Sequence, residues 1–176
     1  MPAEPPTVPD TIALLAGLLR RELCLPELPP RVFVYNTNWD IPATNDLFLV
    51  ISMLRDENFG GGQGYSYDPV SQELVENQVV ARATTYTVDA FSVTTEARRR
   101  RHEIFFALQG DAAERLCERH SLSIFRPTNF IDLSYLEASR RLNRYQTQFE
   151  VFEGFGLAKP VPILTPPFKP KLLINA

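Results

Sequence analysis

The chain has 176 residues, of which 44% are hydrophobic and 22% charged, and a formal net charge of −3. That length fits one domain with appendages, and that composition can bury a core, which excludes a wholly disordered chain. The charge excludes a protein held to nucleic acid by bulk electrostatics, so any contact with DNA must come from local patches.

The first residues, Met1-Pro-Ala-Glu-Pro-Pro, lack the basic and apolar regions of a signal peptide. Residues 1–9 read as a proline-rich arm. Asp10 is a good N-cap, and Ile12, Leu14, Leu15, Leu18, Leu19 and Leu23 give an apolar helix face over Thr11 to Leu25. Pro26 ends that helix, and Arg31 to Tyr35 reads as a short strand. Asn36 to Asn45 is a loop carrying the single tryptophan, Trp39, which either anchors the loop or meets a partner. Asp46 to Asp56 is apolar on both faces and is expected as a central strand, covered by helices or by a neighbouring subunit. Its apolar run from Leu47 to Leu54 is too short to span a membrane. The glycines from Gly60 to Gly64 mark an expected flexible tip, in a hairpin spanning Asn58 to Asn77.

Gln78 to Ser92 is rich in Val, Thr, Tyr and Ala and reads as a long strand, with Tyr86, Val88 and Ala90 alternating against Thr85, Thr87 and Asp89. A helix follows, capped by Thr94 or Thr95 and closed by Gly110. Ala97, Ile104, Phe105 and Leu108 form its core stripe. Arg101 falls inside that stripe and must snorkel outward. Phe106 falls on the opposite side, either as a contact or as an isolated exposed aromatic. Asp111 to His120 is a further short helix. Ser121 to Arg126 reads as a strand, Phe130 to Leu136 as extended or half-helical, and Asn143 to Glu153 as the cleanest strand, ended by Gly154 and Gly156. Residues 157–176 form a second proline-rich arm with Val161, Ile163, Leu164, Phe168, Leu172, Leu173 and Ile174. Such an arm is suited to lie along another subunit or to pack back on its own domain.

No catalytic constellation stands out, and the chain reads as a non-enzyme without cofactor or metal. Gly60 to Gly64 lacks the Lys-Ser/Thr of a phosphate loop. Cys117 and His120 have helical i, i+3 spacing, yet only Cys24 and His102 remain as further Cys or His ligands. Two cysteines this far apart argue against a disulfide scaffold and fit a reducing cytoplasm. The sharpest charge feature is Arg98 to Arg101. Arg98, Arg99 and Arg100 are candidate contacts to DNA or to a partner, against the alternative of a solvated face with pairs such as Arg99 to Glu103. Phe106, Phe168 and Leu172 are candidate subunit-interface residues.

The stretch Asp132-Leu-Ser-Tyr-Leu-Glu-Ala-Ser-Arg-Arg-Leu-Asn-Arg-Tyr145, running into Tyr145 to Phe152 and Gly154-Phe155, resembles the neck or tail terminator proteins of tailed bacteriophages. The order of a leading helix, a long strand with Tyr86 and an Arg-rich helix fits as well. The resemblance covers Thr11 to Gly156 in layout and Asp132 to Phe155 in motif. It implies an α+β fold over residues 10–156, an antiparallel sheet of four to five strands with helices on one face; the proline-rich C-terminal arm matches no motif of the family. It also implies a structural virion protein: a homohexameric ring assembled in the host cytoplasm, which joins the tail tube protein to the head connector or stopper and passes DNA through its lumen. A membrane has no place in that role. The alternative function is a nucleic-acid-binding module using the Arg98 to Arg101 helix.

Overall fold

The computed structural model describes residues 10–35, 46–69, 73–137 and 140–161. Both arms for the most part, the Trp39 loop, Phe168 and Leu172 lie outside the described residues. The elements run α1 (Thr11–Glu22), β1 (Val32–Val34), β2 (Phe48–Asp68), β3 (Glu73–Ser92), α2 (Glu96–Gln109), α3 (Asp111–His120), β4 (Leu122–Ile124), β5 (Ile131–Asp132), β6 (Tyr135–Glu137) and β7 (Arg140–Val161). The chain divides into two compact units, Met1–Gly60 with Ala81–Phe155, and Gly61–Val80 with Gly156–Ala176.

In the first unit, Asp10 caps α1 by accepting from the Ile12 amide at 3.3 Å. The helix stops at Glu22, short of Leu25. Cys24 takes φ 51, and the amides of Cys24 and Leu25 fold back on the carbonyls of Arg21 and Arg20. That is a Schellman ending with cysteine in the usual glycine position.

The strands order as β1-β2-β3-β7-β4, with β5 and β6 also paired to β7. Strands β1 and β2 run parallel, Val32 opposite Leu49 and Val34 opposite Ile51. Strands β4, β5 and β6 are antiparallel to β7. Contacts between β3 and β7 step from Arg82–Glu153 through Tyr86–Phe149 to Asp89–Arg144, so these strands are antiparallel too. The fold is therefore α+β, with a mostly antiparallel sheet.

Alternation along the strands builds two apolar layers. Leu49, Ile51, Tyr86, Val88, Ala90, Tyr145, Phe149 and Val151 form one core with Leu15, Leu19, Ile104, Leu108 and Ala113 from the three helices. Phe48, Val50, Phe91 and Leu142 point the other way, packed by Phe33 and Val93. Phe48 and Phe91 stack with ring centroids 5.1 Å apart. The helical core residues belong to the first layer alone among the described residues, so the helices cover one face. That is why Leu47 to Ile51 is apolar on both faces.

Along β2, Phe48 stacks on Phe91 and Asp56 accepts from the Thr84 hydroxyl at 3.1 Å, and between them Met53 and Leu54 are both exposed.

Two strands run further than the sequence implies. The expected tip at Gly60 to Gly64 lies inside β2, which runs on to Asp68, and β3 begins at Glu73. In the second unit, cross-strand polar pairs keep this stretch extended: Asn77 donates to the Ser66 hydroxyl at 2.7 Å, and Gln63 donates to Glu76. Likewise β7 continues through Gly154 and Gly156 to Val161. Glycine permits a turn without forcing one, and no glycine among the described residues takes a positive φ.

Candidate functional site

Helix α2 starts from a polar turn. The Ser92 hydroxyl accepts from the Thr94 amide at 2.9 Å, and the Thr94 hydroxyl accepts from the Glu96 amide at 3.4 Å. Asn143 of β7 donates to the carbonyls of Ser92 and Thr94, at 3.4 and 2.6 Å, and ties the turn to the sheet. Thr95 is the N-cap residue, yet its side chain makes no capping bond.

The four arginines after this turn separate. Arg99 is exposed and pairs with Glu96 at 3.3 Å. Arg100 is half-buried, takes both carboxylate oxygens of Glu103, and donates to the Leu23 carbonyl of α1 at 2.8 Å. The Glu103 hydrogen bond, ahead of the opposing cost of burial, raises the Arg100 guanidinium above its ordinary value. Glu103 thus pairs at i, i+3 with Arg100, and Arg99 turns to Glu96. Arg100 is a strut between two helices, whereas Arg98 is exposed and unengaged by any ion pair among the described residues.

Arg98 and Arg101 line a common pocket of about 410 Å³ together with Thr95, Phe130, Asp132, Asn143 and Tyr145. The Arg101 guanidinium carbon lies 4.6 Å over the Tyr145 ring, a cation–π contact that carries the snorkelling side chain out along the core edge. Its Nε is shielded from solvent and has no hydrogen-bond partner. Asp132 accepts from the Ser134 amide at 2.9 Å. Hydrogen bonds from the Ser134 side chain and backbone, then from Tyr145 and the charge of Arg101, hold the Asp132 carboxyl below the usual carboxylate value. The sequence places Arg98 with Arg99 and Arg100 as one candidate contact, whereas the structure sets Arg98 beside Arg101. The i, i+3 spacing of Arg98 and Arg101 is the signal that pairs them on one helix face.

Apolar surface is the second feature. Phe106 is 77% exposed on α2. Phe59 and Phe125 are exposed as well and flank Phe152, with ring centroids 5.1 and 4.6 Å from it. This trio went unseen in the sequence, because its members come from three separate strands or loops.

The buried carboxylates Glu153 and Asp89 are each met by an arginine. Arg82 reaches the buried Glu153 at 2.5 Å and Asp56 at 3.4 Å. Arg144 bonds the buried Asp89 at 2.9 Å, with Gln146 donating to the same carboxylate. Burial, and secondarily the Glu153 charge, push the Tyr86 phenol up to about 12. Burial raises the Cys117 thiol. Among the described residues no group of His, Cys, Asp and Glu gathers as metal ligands would, and no helix is long and apolar enough to cross a membrane. Compared with models of protein families and with curated proteins, the chain matches none.

Proposed function

We propose that this chain is a structural ring protein of the tailed-phage tail terminator or neck type. Six copies close around a lumen that passes DNA, between the tail tube protein and the head connector or stopper of the virion. The observation that carries the reading is strand β2. Every residue from Met53 to Tyr67 is exposed, on both faces, and the run includes Leu54, Phe59 and Tyr65. A ribbon without a buried face is marginal in water, and apolar surface of this extent marks a contact. Sister copies supply the cover, because a head-to-tail contact that closes on itself satisfies every subunit without growing a filament. Phe106 adds a second apolar contact on α2. The α+β fold with helices on one face agrees with the architecture that the resemblance at Asp132 to Phe155 implies. The role is one of assembly, and no reaction is assigned to it.

Light-scattering mass measurement across a concentration series, with and without tail tube protein, tests the reading. A closed oligomer that shows a ring in electron micrographs is the expected result. A monomer at all concentrations, with or without the tube protein, would overturn it.

A further inference from the structure

We propose that the pocket between the first turn of α2 and strands β5 and β7 is a phosphate site, formed by Arg98, Arg101 and Thr95. The inference does not depend on assembly into a ring. Four observations carry it. Of the four consecutive arginines, Arg99 and Arg100 turn to Glu96 and Glu103, while Arg98 and Arg101 face the same pocket and form no ion pair among the described residues, although the charge of Arg101 acts on Asp132 across it. Arg101 is held in place by the Tyr145 ring, and its Nε is withdrawn from water without an acceptor. Its terminal nitrogens make no hydrogen bond among the described residues, which leaves them to meet an acceptor in the pocket that a bound anion supplies. Thr95 keeps its hydroxyl out of the cap and lines the same wall. Asp132, the one carboxylate in the lining among the described residues, accepts from Ser134 and offsets only part of the positive charge.

The balance of charge sets the ligand class. Two guanidiniums against one carboxylate leave one net positive charge, which a phosphodiester or a singly charged orthophosphate neutralises. Guanidinium forks match phosphate oxygens in geometry and form charge-assisted bonds to them. A bound anion would also relieve the repulsion between four cations crowded at the positive end of α2. The shared chemistry is a tetrahedral phosphate, whether free or in a nucleic-acid backbone.

The test follows the Arg101 Nε–H resonance by NMR while inorganic phosphate is added, and in parallel the anisotropy of a labelled DNA duplex at low salt. The expected result is a saturable shift of that resonance with phosphate, with DNA, or with both. Arg98→Ala should weaken binding about tenfold, whereas Arg99→Ala, equal in charge and on the same helix, should leave it within about twofold. Shifts with phosphate alone assign a small-anion site. Binding of DNA that phosphate displaces, with a salt dependence that Arg98→Ala makes shallower, assigns a backbone contact. No shift with either ligand, or equal weakening by both substitutions, would overturn the proposal. Arg98 is exposed, so its substitution leaves the fold intact, and thermal melting of each variant checks this.

Discussion

Replacing Arg82 with methionine isolates the most consequential ion pair in the protein. The Glu153 side chain is 2% exposed, and one of its oxygens has no hydrogen-bond partner while the other accepts from Arg82 at 2.5 Å. Orphaning a fully buried charge costs about 3–5 kcal/mol. The Arg82 side chain is 30% exposed, so water already screens part of the pair, and the expected loss falls to about 2–3 kcal/mol. Asp56 contributes little to that sum, because its contact is longer and its side chain is 38% exposed. Methionine keeps the apolar stem, which limits the packing loss, although the guanidinium contact to the Phe155 ring at 4.9 Å is given up. For a chain of this size the melting temperature should fall by about 4–12 °C. Urea unfolding followed by circular dichroism measures the same quantity. The double variant Arg82→Met/Glu153→Gln removes the orphan charge and should be more stable than Arg82→Met alone. A single variant within about 0.5 kcal/mol of the parent, or a double variant less stable than Arg82→Met, would refute the reasoning.

Arg100→Ala should destabilise by about 1–2 kcal/mol through loss of its bonds to the Leu23 carbonyl and Glu103, whereas Arg99→Ala should cost under about 0.5 kcal/mol; equal costs in urea unfolding would count against the strut between α1 and α2. The Tyr86 phenol has its folded value raised to about 12 from 10.0, so the stability it contributes is complete below pH 10 and is lost as pH rises toward 12. Tyr86→Phe should flatten the stability curve in that window, and absorbance titration should show one of the six tyrosines ionising late. Phe106→Ser should leave the melting temperature nearly unchanged yet weaken self-association in sedimentation, since the ring is 77% exposed. With its thiol raised by burial, Cys117 should react with iodoacetamide more slowly than the exposed Cys24, as read by mass spectrometry of the labelled peptides.

Much of the fold was legible in the chain. Asp10, the leucine stripe of α1, the alternation around Tyr86 and Val88, and the two-sided apolar run of β2 each encode an element, and the structure contains all of them. These signals are local. A helix repeats every 3.6 residues and a strand every two, so a dozen neighbours suffice to mark the buried face. The parallel pairing of β1 with β2 carries no such mark, because register is set between strands.

The glycine tracts misled for a related reason. Gly60 to Gly64, Gly154 and Gly156 allow a turn, but whether one forms depends on the partner strand, and both stretches are extended here.

The sequence by itself determined where the helices and the apolar parts of the long strands lie and which side chains are apolar enough to seek cover. Only the tertiary structure decided how the arginine run divides. Arg100 meets a carbonyl 77 residues away, Arg82 finds its carboxylate 71 residues away, and Arg101 settles over Tyr145. Charge pairs act over a few ångströms of space, and distance along the chain says nothing about distance in space until the core has closed.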